Sequence, residues 1–575
     1  MFLNNFIIGV LEDNTEIFTL SFLIKGFVGC TKFLGYPTGR CINLFVNHQP
    51  LTRFLILPLI RTFNPVFGYN LIILGSFALN FVFALRFYKK LFNPLISIIL
   101  SLVLILSPYF FYQSRSHVEL IQIWPVIWFF YIIFFSENRY KYLYLGLLLT
   151  AIMGISNYLG FFTIILTLLF AIFSLVLSKS RVLLFKEYFS KIMMSFLVFF
   201  SLSSTFLYPY IKSNYLSKKT DDTKVAGTVV LKRPLEDFII FSSRPWFYLI
   251  PSVDNPFFGS ISELFLVKLS SGGNYLTKNY FKSEHSASYL GWSNLVVASF
   301  GVFSIFRRYR VSSKESTGVS KKNAVVLLSC IIGLVLLSMP PQVSLFGVNL
   351  YLPSYFLYVA FPMFRVLTRL GVFILFLVLI FTGYGYKEIL NLGSSYRNKT
   401  VICYLLTIFF FIFSILEFFI PVKLTDVSQV PKVYQYLGSV TDSNNPVVVY
   451  PYNKTFGAAY WIDRYNKPLV NPRAQDDIKT GFISEEFTEN LNTLVGIDKA
   501  KERGAKYLVY FYEVDAGANI DFFENVPNLT KVYQFVEDEQ DERKLFFPYS
   551  SKFVFARIVN EGAGKSNSAI LYSLN

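Results

Sequence analysis

The sequence predicts a mainly α-helical, polytopic membrane protein of about ten transmembrane helices, followed by a soluble α/β or α+β domain. Three observations carry this. Long apolar runs, such as 143–175 and 401–420, alternate with short basic segments. The 575 residues are 54% hydrophobic and only 15% charged, whereas a soluble chain carries about a quarter charged residues. Beyond residue 420 the pattern changes to short β-rich runs with helical stretches between them.

The elements follow in order. Residues 1–65 read as an external loop with amphipathic helices on the membrane surface; 17–27 is apolar but short and contains Lys25, and 31–53 carries Gly35, Pro37, Gly39 and Pro50. Residues 66–420 form the bundle. Its spans are expected at 66–88, 92–112, 119–136, 141–155, 157–178, 189–210, 289–306, 323–339, 369–388 and 400–420, because about 20 apolar residues cross a bilayer core. The fourth is short and reads as a half-span meeting the fifth at Ser156-Asn157. Residues 211–288 form a large external loop, polar first and aromatic later. Residues 421–575 hold strands at 446–450, 506–511 and 553–557 and a helical pattern at 484–501.

Orientation follows from charge. The segments with Lys89-Lys90, Arg139 and Lys141, 179–191, 307–322 and 387–399 are all basic, and the positive-inside bias assigns them to the cytoplasm. The same bias accounts for most of the net charge of +17. Loops 113–118, 156–157, 211–288 and 340–368, together with both terminal regions, then lie outside. Of four cysteines, Cys330 and Cys403 fall in spans, while Cys30 and Cys41 fall outside, either free or bridged; their spacing fits no metal pattern. The first ten residues make no usable signal peptide.

The rare polar clusters gather on the external side. Glu12-Asp13 can act as a general base or bind a divalent cation such as Mg2+ or Mn2+, or can be two solvated acids. Arg115, His117 and Glu119 crowd the top of a span in a chain with three histidines; they suit phosphate binding and proton transfer, or simple interfacial anchoring. Asn157-Tyr158 is either a helix-hairpin turn or a polar kink lining a cavity. Glu284-His285 precede the interface aromatics Tyr289 and Trp292. Arg365 and Arg369 lie four apart in an aromatic stretch; on a helix they would share a face and clamp one anion. There is no P-loop, dinucleotide-binding glycine pattern, zinc spacing, nucleophile elbow or calcium loop, and nothing points to nucleic acid.

The order Leu11-Glu12-Asp13-Asn14, a long loop, Ser107-Pro108-Tyr109 with His117, Ser156-Asn157-Tyr158, Tyr289-Leu290-Gly291 and Phe364-Arg365 with Arg369 resembles uncharacterised bacterial members of the GT-C-type membrane glycosyltransferase superfamily. The resemblance covers most of the chain through short, degenerate motifs. It implies a multi-pass enzyme of the bacterial plasma membrane, with its C-terminal domain on the extracytoplasmic side. Such an enzyme transfers a sugar from a polyprenyl-phosphate-linked donor to a glycan or protein acceptor. It implies Asp13, beside Glu12, as catalytic base or metal ligand, and Arg365, Arg369, Arg115 and His117 as donor-phosphate ligands. The family begins with a full span ahead of the acidic loop; only about ten residues precede Glu12, so a missing or truncated first span is expected. Two other readings compete. A lipid-linked substrate flippase or transporter would show internal repeats and midplane charges, and neither is found. A non-catalytic envelope scaffold would present the external domain to a partner.

Overall fold

The computed structural model describes residues 2–10, 29–31, 33–37, 39–42, 50–178, 181–211, 234–271, 285–311, 321–345, 348–393, 397–440, 444–472, 491–547 and 550–575. Glu12, Asp13, His48, Glu284, the 17–27 run and the side chains of Cys30, Cys41 and His285 lie outside the described residues.

Helix boundaries follow local chemistry. Asn64 caps the helix Pro65–Lys89, its Oδ1 accepting Val66 N–H at 3.0 Å, with Pro65 at the first helical position, where a missing N–H costs nothing. Asn93 and Pro94 repeat the device at Pro94–Ile105. Ser107-Pro108 then breaks the run and starts Pro108–Gln113. Ser156 ends Lys141–Ile155 and caps Asn157–Val176, so the fourth and fifth apolar runs meet there as two helices.

Among the described residues, six helices are long and apolar enough to cross a membrane: Pro65–Lys89, Pro94–Gln113, Asn157–Val176, Lys321–Ser338, Leu367–Leu392 and Thr400–Phe418. Pro50–Ile60, Trp124–Phe135, Lys141–Ile155, Ile192–Thr205 and Trp292–Arg307 are shorter apolar stretches, so six of the ten expected spans fall on helices of crossing length and the other four on short stretches. The run expected at 119–136 becomes helical only at Trp124; Pro125 suits a helix start, and residues 118–121 before it form turns. Pro50–Thr62 is also helical.

The helix Gly371–Gly393 is the hub, buried along most of its length. It crosses Trp292–Val311 at backbone contact: a Cβ on Gly301 would stand 2.2 Å from the Phe381 carbonyl oxygen, and one on Gly385 2.0 Å from that of Val297. Small residues at such a crossing let helices pack where no water exists to drive association. The outer helices turn apolar faces outward, as with Val401, Leu405, Phe409 and Ile412.

Two four-stranded sheets stand at one end. The first runs in the order Phe6–Ile8, Val422–Asp426, Ser550–Asn560, Glu542–Phe547; its central pair is parallel and the outer pairs antiparallel. The second runs Val447–Tyr450, Tyr507–Tyr510, Ala569–Leu574, Leu529–Phe535. The expected strands 446–450, 506–511 and 553–557 fall on three of these, and the helix Leu494–Glu502 covers the C-terminal part of the expected helical pattern. The chain's first strand thus pairs with a strand more than 400 residues later, in the register Phe6 to Asp426. Asn70 ties that strand to the bundle, accepting Ile8 N–H at 2.9 Å and donating to the Phe6 carbonyl at 2.6 Å.

Candidate functional site

The site begins where the helix Pro108–Gln113 runs into Ser114-Arg115-Ser116-His117. The last turn tightens: Arg115 N–H donates to the Tyr112 carbonyl at 3.2 Å, and His117 N–H to that of Gln113 at 2.8 Å. Such closing turns satisfy carbonyls that the helix end would leave orphaned. Arg115 and His117, two residues apart, then enter different clusters.

In the first cluster, His117 Nδ1 lies 3.5 Å from Glu119 Oε1 and His117 Nε2 lies 3.3 Å from Arg369 Nη2. A guanidinium only donates, so Nε2 accepts and the ring proton sits on Nδ1, facing Glu119. Arg369 is itself buried and rests 4.5 Å over the Tyr158 ring. Burial pushes the Glu119 carboxyl up, but His117 and Arg369 outweigh it and hold it below its usual range. Glu119 Oε2 is buried without a hydrogen-bond partner. Tyr158 packs edge-on against Phe364, which stacks flat on Phe161 with centroids 4.1 Å apart. Asn157, buried, opens the same helix.

Arg365 and Arg369 do not share a helix face. Residues 361–366 are not helical and 367–370 form a single 3-10 turn, so the four-residue spacing does not bring the guanidiniums together. Arg365 pairs with Asp237 and lies 4.9 Å over Phe241. The Phe241 carbonyl accepts Thr368 N–H at 3.1 Å, which holds this segment beside the Arg369 cluster. His285 opens the turn His285–Ser288, and Ser288 Oγ donates to the Thr368 carbonyl at 3.3 Å.

The second cluster centres on Asp254. Arg115 Nη2 donates to Asp254 Oδ2 at 2.9 Å, and Arg557 Nη1 lies 3.7 Å from Oδ1. Arg557 and Lys423 are register partners across the parallel strand pair. Burial would raise the Asp254 carboxyl, yet Arg115, Lys423 and Arg557 hold it low. Lys423 is pushed down, first by burial and then by Arg115. Among the described residues Arg115 Nε and Arg557 Nε are buried without hydrogen-bond partners, Arg557 Nε lying 3.9 Å from Glu542 Oε1, an unusual state for buried donors. Asn255 anchors the Asp254 loop by donating to the Leu416 and Glu417 carbonyls at 2.8 and 2.9 Å. The N-terminal strand meets this cluster: Gly9 N–H donates to the Lys423 carbonyl at 2.9 Å, and Val10 N–H to the Arg115 carbonyl at 3.0 Å.

The structure therefore brings His117, Glu119, Tyr158 and Arg369 into one cluster, with Asn157 one residue from Tyr158, while Arg115 joins Asp254 and Arg365 joins Asp237. Sequence reasoning missed Asp237, Asp254, Lys423 and Arg557. Asp254-Asn255-Pro256 carried a signal, a turn motif in the 211–288 segment; Lys423 and Arg557 become neighbours only through strand pairing. Among the described residues no three His, Cys, Asp or Glu side chains come together as a metal site.

A family described as a domain of unknown function (DUF6311) matches residues 26–226. No curated protein matches the chain. Among solved structures, the oligosaccharyltransferase of Archaeoglobus fulgidus, in complex with Zn and sulfate, is similar at 10% identity and a TM-score of 0.47, covering 97% of this chain and 71% of that one. The arabinofuranosyltransferase AftD from Mycobacteria is similar at 10% identity and 0.49, covering 99% of this chain and 40% of that one. ArnT from Cupriavidus metallidurans, bound to undecaprenyl phosphate, is similar at 9% identity and 0.40, covering 100% and 95%. Likeness at this level sets no residue of this chain against a residue of theirs.

Proposed function

We propose that this chain is a membrane glycosyltransferase that moves a sugar from a polyprenyl-phosphate-linked donor to an acceptor on the non-cytoplasmic face. The supporting observation is the bond from Val10 N–H to the Arg115 carbonyl. Asp13 follows Val10 by three residues, so its Cα stays within about 11 Å of Val10 at full extension. The acid pair is thereby tethered to the segment that carries Arg115 and His117. The reading requires the Asp13 carboxylate and these cations to act on one substrate.

In this reading Asp13 takes the proton from the acceptor hydroxyl as its oxygen attacks the anomeric carbon. The bond from that carbon to the phosphate oxygen breaks, and its electron pair leaves with the polyprenyl phosphate. Arg369 and Arg115 stabilise the negative charge that develops there. Glu119 fixes the His117 ring, and His117 in turn fixes Arg369. The rings of Tyr158, Phe161 and Phe364 offer an apolar wall for the prenyl chain. A divalent cation at Asp13 would add charge to the donor phosphate; no step here depends on it.

The test is a pair of variants assayed in proteoliposomes with a lipid-linked sugar donor. Asp13→Asn should lower transfer by about 10²–10⁴-fold, the usual worth of a positioned base, while membrane insertion is unchanged. Arg369→Ala should raise the KM for donor more than that for acceptor. Full activity of Asp13→Asn removes the base assignment, and equal effects of Arg369→Ala on both substrates remove the phosphate assignment.

A further inference from the structure

A second basic site lies at the other end of the bundle. Asn70 meets the N-terminal strand beside the functional mouth, and Lys89 ends the same helix roughly 28 Å away at 1.5 Å per residue. There a cavity of about 390 Å3 opens between Lys89, the 90–93 connection, the start of Pro94–Ile105, and Lys387 to Asn391 of the hub helix. Its rim carries Lys89, Lys90, Lys387 and Asn93, and its lining, polar for the greater part, also includes Leu91, Phe92 and Leu390. Among the described residues no carboxylate lines it; Glu388 follows Lys387 in the same helix but does not border the cavity.

Packing explains the hollow. Phe92 is buried edge-on against Tyr384, centroids 5.1 Å apart. It enters because position 383 has no side chain: a Cβ there would meet the Phe92 ring at 2.5 Å. The inserted ring draws the 90–93 turn onto the hub helix and leaves the recess beside it. Asn93 caps a helix of 12 residues, whose N-terminal end adds positive potential. The positive-inside bias explains lysines at this end. It does not explain three lysines arranged round one concavity that, among the described residues, no carboxylate lines.

We propose that this cavity binds the phosphate headgroup of an anionic phospholipid from the leaflet opposite the functional mouth. The amines meet the phosphate, and Leu91 and Leu390 of the lining meet the glycerol and the first acyl carbons; basic pockets between membrane helices bind lipid headgroups in this way. The site is independent of the glycosyl-transfer reading.

Native mass spectrometry of the full chain, released from detergent micelles with phosphatidylglycerol or phosphatidylcholine, tests this. Wild-type protein should retain phosphatidylglycerol in preference to phosphatidylcholine. The Lys90→Gln/Lys387→Gln variant should lose that affinity roughly 30-fold, the worth of two basic residues near a headgroup. Lys322→Gln, an exposed lysine outside the cavity, should leave it unchanged. Each single variant, Lys90→Gln and Lys387→Gln, should give a partial loss, with circular dichroism confirming intact helices. An equal loss with Lys322→Gln, or full retention in the double variant, overturns the site. Inorganic phosphate bound as tightly as the lipid overturns the lipid assignment in favour of a free anion.

Discussion

Arg369 is a cation with its surroundings fixed on two sides, by His117 Nε2 and by the face of Tyr158. Lysine keeps the charge but has neither a planar fork nor a stacking face. Arg369→Lys should therefore lower transfer at least about 10-fold while leaving the thermal midpoint nearly unchanged; wild-type rates in Arg369→Lys would show that charge alone suffices. Glu119 titrates below its ordinary 4.5 in the folded protein. The folded state thus binds fewer protons than the unfolded one between those two pKa values, and stability rises with pH across that window. The contribution is complete above about 4.5 and fades as pH falls through the folded pKa. Thermal midpoints of wild type and Glu119→Gln, compared between neutral and acid pH, should differ most near neutrality and converge in acid. A pH-independent gap would mean that the carboxylate charge is not what His117 and Arg369 hold. Asp254 is the counter-charge for Arg115, Lys423 and Arg557. Asp254→Asn leaves those cations facing one another and should cost about 1–3 kcal/mol, reduced from the fully buried case because the carboxylate is part-exposed.

At the scale of elements, the short strand Phe6–Ile8 joins the N-terminal chain to both the bundle and the C-terminal sheet. Gly9 makes the junction possible. It sits at φ +130, and a Cβ there would stand 2.7 Å from the Arg115 carbonyl oxygen. Gly9→Ala should push the strand end off the Arg115 turn, lowering transfer with little change in helical content by circular dichroism; unchanged transfer would uncouple strand and site. Much of this level was legible. Ser156-Asn157 marked a helix junction and β-rich runs marked three C-terminal strands, because these signals are local. What was not legible depends on contacts distant in sequence. Nothing near Phe6 announces a partner at Asp426. Nothing near Arg365 and Arg369 announces that Asp237 and His117 take one guanidinium each. The four-residue spacing misled because it presupposed a helix where the chain, after Pro362, makes turns.

At the scale of the whole molecule, the account separates two charged ends. One gathers carboxylates, a histidine and arginines into partnered clusters under the two sheets; the other gathers lysines around a cavity. The functional reading requires the first end to face away from the cytoplasm. In a chain with its native cysteines replaced by serine, Asn575→Cys should react with a membrane-impermeant thiol reagent on intact cells, and Lys322→Cys should react only after the membrane is opened. The reverse labelling would place the mouth inside and end the proposed use of a donor on the outer face. The most direct measurement is transfer of labelled sugar from a polyprenyl phosphate donor by purified wild-type protein and by Asp13→Asn, each reconstituted to the same level. The account predicts transfer by wild type and a loss of about 10²-fold or more in the variant. Equal transfer by both proteins, or none by wild type across the available lipid-linked donors, would contradict it.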